Sequence, residues 1–328
     1  MDDKKKSNFL LRDDILSRDC KDLISSAINM NGFAPEHNYD YLISCQTDES
    51  KGIFADFGDN SGLFILYWDD DIWQVVSEII APEEDRAKIF LELARFLFKE
   101  KKCKKILVEF APKLKKELLD KIKIDQDGKL EDPKILIGAN IAKYFTPIIP
   151  LKDWDENLTG PDVSKLRKAK NRFYRNFKVE IIRDEEVLDA SIEELSRLVD
   201  SWKKYRKSND RAYHEPYMNF FQNKFRGSCC NMILRLNGAL VGVASALLVP
   251  NSDNKTVYFG VNLHDYSVPE LGDFLTVLFF EELKKKGYEF IDFGSSDEKL
   301  LNYKRKFKPA AYYEIDCFYV RTVNNEVK

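Results

Sequence analysis

The chain has 328 residues, 44% of them hydrophobic and 13% aromatic, enough to bury a substantial core and to build two domains. A net charge of −3 excludes a protein that grips nucleic acid with its whole surface, although a local basic patch stays open. There is no long apolar run, no secretory segment in MDDKKKSNFLLRDD, no CxxC among six cysteines and no metal-ligand spacing among three histidines. A reduced cytoplasmic protein with no membrane span and no metal is expected.

In the first half, RAKIFLELARFLFKEKKC reads as a helix with Ile89, Leu93, Phe96 and Leu97 on one side. KKILVEF follows as a strand and APKLKKELLDKI as a short helix, and DGKLEDP (127–133) is rich in turn residues. KDWDENLTGPD (152–162) is the expected boundary between a domain at 1–150 and one at 151–328.

Next comes PDVSKLRKAKNRFYRNFK, with a helix over 162–176. Val163, Leu166, Ala169 and Phe173 share one face, and Lys165, Lys168, Arg172 and Arg175 lie opposite, with Arg167 and Lys170 on the flanks. Seven basic residues (Lys165, Arg167, Lys168, Lys170, Arg172, Arg175, Lys178) stand against Asp162 and Glu180, inside a protein whose balance is acidic. Such a stripe is either a solvated face or an anion grip for a nucleotide, a tRNA backbone or a lipid headgroup.

The second half is more legible. KVEIIRD (178–184) alternates as a strand, EEVLDASIEELSRLVDSWKKYRK (185–207) reads as one long amphipathic helix, and HEPYMNFFQNKF as a shorter one. NMILRL and ALVGVASALLVP flank Asn237-Gly238, the strongest short hairpin signal. KTVYFGVNL (255–263) is a strand, and Pro269 stands near the start of a helix with Leu271, Phe274, Leu275, Leu278 and Phe279 on its buried face. Gly287 stops that helix, a strand runs from Tyr288 to Phe293, and AAYYEIDCFYV (310–320) closes the domain.

The resulting order is β-α-α-β-β-β-α-β-α-β, with one parallel crossover at 255–293 in an otherwise antiparallel sheet. Such a sheet splays where its pairing changes, and ligand clefts form there. Cys103 to Phe110 matches Gly287 to Phe293 with one residue of slippage, and this helix–strand–helix echo points to a degenerate internal repeat.

Between Gly294 and Pro309, the sequence GSSDEKLLNYKRKFKP opens a short helix whose Leu300, Tyr303 and Phe307 recur at core-facing spacing. Lys304 falls inside that stripe. A buried ammonium requires a partner or a ligand anion; a snorkelling lysine with its head in water is the alternative.

LTGPDVSKLRKAKNRF is similar to the "LR-x-x-x-NR" segment of the domain that ends phosphatidylglycerol lysyltransferases. GYEFIDFGSSDEKLLNYKRKFKP resembles the closing motif of Fem-type aminoacyltransferases. Over roughly residues 140–320, the chain thus resembles the GNAT superfamily in a duplicated form. The resemblance implies an α/β (α+β) fold of two GNAT-like modules, each a mixed, mostly antiparallel sheet flanked by helices.

The implied activity is transfer of an activated acyl or aminoacyl group to an amine or hydroxyl. In Fem-type enzymes the lysine of the matching motif assists transfer; here it is Lys304, preceded by Tyr303, where an ammonium would face a ligand phosphate or the developing oxyanion. The pyrophosphate loop of acetyl-CoA enzymes is reduced here to Gly272 within NLHDYSVPELGDFL. An aminoacyl-tRNA donor is therefore favoured over acyl-CoA, and a CoA enzyme with a divergent loop remains an alternative. The coiled arm of bridge-forming enzymes and the membrane half of lipid lysyltransferases are absent from this sequence, so any lipid acceptor would be met from the soluble side.

Other candidates cluster along the same strands. Tyr258 and Asn262 lie on the central strand, and His264 at its end is a candidate general base. Asp292 ends the strand before Gly294 and is placed either to orient Lys304 or a substrate amine or to cap the next helix. Trp202, Tyr205 and Tyr213 are candidates for lining an acceptor pocket or for the core. A non-catalytic module that binds tRNA, nucleotide or anionic lipid through the basic helix is the competing reading.

Overall fold

A computed structural model describes residues 9–68, 71–128, 133–205, 213–253 and 255–323. The chain divides into two compact units, Met1–Phe145 with Glu314–Lys328, and Thr146–Tyr313. Both are α/β, with mostly antiparallel strands flanked by helices.

The first unit contains β1 (Leu10–Arg12), α1 (Arg18–Asn31), α2 (Tyr39–Ser44), β2 (Ser50–Gly58), β3 (Ser61–Trp68), β4 (Ile72–Val75), α3 (Glu83–Lys99), β5 (Lys105–Phe110), α4 (Pro112–Gly128) and the first part of β6 (Ile135–Pro150). Strands β1 to β4 pair antiparallel in sequence order, and β4 pairs with β5 in parallel over three residues, Ile72 to Gln74. β12 (Ala311–Thr322), from the end of the chain, lies beside β5. Alternation sends Leu63 and Ile65 to a core under α3, and Phe64 and Leu66 to a second core under α1. Of the turn-rich 127–133, residues 129–132 lie outside the described residues.

The second unit runs α5 (Ser164–Asn176), β7 (Val179–Arg183), α6 (Ile192–Lys204), α7 (Glu215–Gln222), β8 (Ser228–Leu236), β9 (Ala239–Leu248), β10 (Thr256–His264), α8 (Leu271–Lys285), β11 (Phe290–Asp292) and α9 (Glu298–Lys304). β7 to β10 again pair antiparallel in order, and β10 pairs with β11 in parallel over three residues. The last three residues of β6 pair with β11. The order from β1 to β6 repeats from β7 to β12, element by element. The turn-rich 152–162 falls within the second unit, and its Trp154 and Leu158 are buried with Phe173 of α5.

Two local readings change. The long helix expected over 185–207 is broken into a 3-10 turn (Asp184–Asp189) and α6, because Ala190 and Ser191 are extended and Ser191 opens a new helix. Residues 206–207 lie outside the described residues. On α9 the buried leucine is Leu301, at 4% exposure, whereas Leu300 is 37% exposed. The buried row is therefore Leu301, Lys304 and Phe307, because the chain tightens to a 3-10 turn over Arg305–Phe307, where side chains eclipse every third residue. This row sets Lys304 between two core side chains. Substituting Leu301→Ala should lower stability to denaturant by about 2–4 kcal/mol, while Leu300→Ala should change it by less than about 1 kcal/mol.

Candidate functional site

The parallel pairing of β10 with β11 ends at Tyr258 and Asp292. Beyond that point β10 continues beside β9 to His264, whereas β11 stops and turns through Gly294 at φ 76°. The carbonyls of Phe293 and Gly294 are thus outside the β10–β11 ladder at the place where the strands part. Asp297 caps α9 by accepting from the Leu300 N–H at 2.7 Å, which returns the chain over these carbonyls.

Lys304 meets them. Its Nζ donates to the Phe293 carbonyl and to the Gly294 carbonyl at 2.9 Å, and it lies 4.8 Å from the centroid of the Phe293 ring. That ring is held by Phe259, Phe280 and Phe307. The residue is only 7% exposed, and burial pulls its pKa from 10.5 down to about 7, with the Asp292 charge opposing the fall. The lysine inside the apolar stripe is therefore a buried amine with carbonyl partners, not a snorkelling one.

Asp292 is buried beside it. Its Oδ1 accepts from the Gly294 N–H at 2.9 Å and its Oδ2 from the Tyr313 hydroxyl at 2.6 Å. Burial pushes its pKa up to about 6, against those two donors and Lys304. Gly294 borders both groups: a Cβ there would stand 3.7 Å from Lys304 Nζ and 3.5–3.9 Å from the Tyr258 ring and hydroxyl, in ordinary van der Waals contact. Ser295 meets the buried Thr146 at 3.3 Å, and the Ser296 hydroxyl donates to the Gly294 carbonyl at 3.2 Å. Lys304, Asp292 and Tyr258 are thus brought together, with Gly294 and Tyr313 as members that sequence reasoning missed. A glycine after Asp292 was a usable signal. Tyr313 gave none, because its contact spans 21 residues and depends on strand placement.

The other strand candidates separate. A register shift in β10 between Tyr258 and Val261 exchanges its two faces. Val257 and Phe259 pack toward α8, whereas Val261 and Leu263 pack toward α6. Asn262 consequently faces α8, donating to Thr276 Oγ1 at 3.1 Å, and its Oδ1 is buried without a hydrogen-bond partner among the described residues. Tyr303 is directed to that side too. Its hydroxyl faces Asp273 and Thr276, burial pushes its pKa up, and Lys306 lies 3.8 Å from its ring centroid.

His264 stacks on Tyr266 at 4.4 Å, and Tyr266 stacks on Tyr205 at 5.7 Å. The histidine ring fills the space over Gly272, where a Cβ would lie 2.5 Å from Cε1. Trp202 is a core side chain packed edge-on against Tyr217, and Tyr213 is 37% exposed. Trp202, Tyr205 and Tyr213 are not brought together at Lys304.

On the basic helix α5 the cations divide into two sets. Arg167 donates to the Leu158 and Gly160 carbonyls, Lys170 pairs with Glu281 at 2.6 Å, and Arg172 pairs with Glu270 at 3.2 Å and donates to the Pro269 carbonyl. Lys165, Lys168 and Arg175 are exposed and make no ion pair or hydrogen bond among the described residues. The first set fastens α5 to its surroundings; the second remains as a surface row.

A family model for the C-terminal domain of phosphatidylglycerol lysyltransferase matches residues 57–315. The chain belongs to the phosphatidylglycerol lysyltransferase C-terminal family. This places it in an aminoacyltransferase family. No curated protein sequence matches this family member. Among solved structures, it is similar to a conserved protein of unknown function from Bacteroides thetaiotaomicron, with 16% identity, a TM-score of 0.65, and coverage of 96% of this chain and 99% of that one. It is also similar to L-PGS from Bacillus licheniformis, with 14% identity, a TM-score of 0.59, and coverage of 93% and 92%. FemX matches with 10% identity, a TM-score of 0.53, and coverage of 92% and 91%. At these identities the structural likeness concerns the fold alone. No helix among the described residues is long and apolar enough to cross a membrane.

Two outcomes test this local chemistry. Gly272→Ala should destabilise the family member by about 1–3 kcal/mol through overpacking against His264, and adding His264→Ala should restore part of the loss, as chemical denaturation of the double mutant would reveal. The folded pKa of Lys304 lies below its unfolded value, so its contribution to stability is lost as pH falls through about 7 and is complete only above 10.5. The wild type should therefore gain on Lys304→Met by about 1.4 kcal/mol per pH unit between these limits, read from paired urea melts across that range.

Proposed function

We propose that this protein transfers an activated aminoacyl group, carried as an ester on a phosphate-bearing donor such as aminoacyl-tRNA, to an amine or hydroxyl acceptor. The observation that carries this reading is Lys304, a buried amine fixed by the carbonyls of Phe293 and Gly294 where β10 and β11 part. Aminolysis of an ester needs orientation, removal of a proton from the nucleophile and stabilisation of an oxyanion. As an ammonium, Lys304 has one N–H beyond the two carbonyl bonds, and in this reading that N–H faces the oxyanion. Asp292 supplies the opposing charge, and Tyr258 borders the reacting groups.

The surface row of Lys165, Lys168 and Arg175 is the proposed grip on donor phosphates, each cation contributing through counterion release. Arg167 and Arg172 hold α5 in place. Support for an aminoacyl donor over acyl-CoA comes from the start of α8. There the Gly272 face, where a pyrophosphate would approach the backbone, is filled by His264. The duplicated element order is read as two GNAT-like modules, with chemistry in the second. The protein would act in the cytoplasm and meet a lipid, peptide or small-molecule acceptor from the soluble side.

The test uses a mixture of radiolabelled aminoacyl-tRNAs with lipid vesicles, peptides or small amines as acceptors. Lys304→Ala should lower transfer by about 10²–10³-fold while leaving tRNA binding in place. Lys165→Glu, Lys168→Glu and Arg175→Glu together should weaken tRNA binding by tenfold or more, on the order of the loss expected for three phosphate contacts, and flatten its salt dependence. Unchanged transfer by the Lys304 variant would remove the catalytic assignment. Binding of tRNA by wild type without any transfer would favour a non-catalytic module, and micromolar CoA binding by calorimetry would restore the CoA alternative.

A further inference from the structure

The nitrogen of Lys304 has a defined stereochemistry. One of its four tetrahedral positions is the bond to Cε, and two are N–H bonds directed at the Phe293 and Gly294 carbonyls. One position is left. In the ammonium it holds a proton, and in the free amine it holds the lone pair. Both forms keep the two carbonyl bonds, so the change of charge moves no side chain. Gly294 has no side chain to cover the nitrogen, and the Tyr258 hydroxyl borders the same space.

The charge state of this nitrogen is set first by burial and then by Asp292. The aromatic packing around Phe293 disfavours the ammonium, and from β11 the Asp292 carboxylate favours it. Asp292 in turn remains ionised because Tyr313, from β12, donates to Oδ2 at 2.6 Å and the Gly294 N–H donates to Oδ1. The titratable groups facing the amine are thus Asp292, Tyr258 from β10 and, through Asp292, Tyr313. Midpoints of about 7 for Lys304 and about 6 for Asp292 fit an amine that exchanges its proton near neutrality while its carboxylate neighbour stays charged.

We propose that Tyr313, Asp292 and Lys304 form one proton-handling unit, in which Lys304 is the general base for the acceptor nucleophile and Tyr313 is a positioning residue acting through Asp292. This deepens, and rests on, the aminoacyl-transfer reading above. The acceptor's neutral amine or hydroxyl attacks the ester carbon, forming the new C–N or C–O bond, and its proton passes to the Lys304 lone pair. The resulting ammonium keeps that N–H in the same direction, where the oxyanion lies beside the attacking atom. On collapse the bond to the donor oxygen breaks, and the same proton goes to that leaving oxygen. Ester and nucleophile become amide or new ester plus alcohol, and Lys304 returns as the free amine. The acceptor class that fits is one whose nucleophile is uncharged when it attacks.

The experiment titrates the full-length protein labelled with carbon-13 at lysine Cε, followed by NMR, with Lys304→Arg used to assign the signal. Wild type should titrate near 7. Tyr313→Phe, which preserves shape, should lower the midpoint by about one unit, because a carboxyl without its donor holds its charge less well and no longer favours the ammonium. Asp292→Asn should lower it at least as far. The wild-type rate should rise with pH through the Lys304 midpoint, and in Tyr313→Phe that rise should move down in pH together with the NMR midpoint. A wild-type midpoint near 10.5, a midpoint indifferent to Tyr313→Phe, or a rate that falls as Lys304 loses its proton would each overturn the proposal. If no acceptor is modified at any pH while the titration and its shift persist, the aminoacyl-transfer reading fails and the base role fails with it; the electrostatic link from Tyr313 to Lys304 is then shown independently of turnover.

Discussion

The second unit is organised around carbonyl groups that lack a strand partner. β10 and β11 share three residues of parallel pairing and then part, so Phe293 and Gly294 turn their carbonyls away from the β10–β11 ladder. Buried carbonyls need donors, and a hydrogen bond left unmade there costs about 1–3 kcal/mol. The donor common to both is Lys304, delivered by a short capped helix, and Ser296 donates to the Gly294 carbonyl as well. One lysine thus completes the backbone bonding and becomes an amine removed from water. Its structural role and its proposed chemical role share one cause.

The surroundings follow from that placement. Phe293 must be aromatic and packed for the nitrogen to lie over its ring, and Phe259, Phe280 and Phe307 hold it there. A positive charge in such a place is tolerable only near a negative one, which Asp292 provides. Asp292 has the converse problem, and the Gly294 N–H and the Tyr313 hydroxyl answer it. The groups are therefore energetically linked, and each would be poorly satisfied without the others.

Elsewhere charge is used differently. Of the cations that make α5 conspicuous, Arg167, Lys170 and Arg172 are bound to carbonyls and carboxylates that fasten the helix to the preceding loop and to α8. Only the outward members, Lys165, Lys168 and Arg175, remain available to an external anion. The first unit repeats the element order of the second, and just after its β5 the Ala111 N–H donates to the Glu78 carboxylate at 2.6 Å.

Sequence by itself determined most of the secondary structure of the second half, the break at Ala190–Ser191 excepted, since the hairpin at Asn237-Gly238, the stops at Gly287 and Gly294 and the apolar periods are local signals. It also determined that Lys304 belongs to a buried row, because helical spacing is a local property. Tertiary structure alone decided the rest. The bulge in β10 divides Tyr258 from Asn262, which a strict two-residue alternation would have left on one face. The 3-10 turn after α9 chose Leu301 over Leu300. The end of β6 pairs with β11 and β12 pairs with β5, strands distant in sequence, and Tyr313 meets Asp292 across 21 residues of chain. Register, strand exchange and burial depend on contacts between residues far apart in the chain, and no local pattern encodes them.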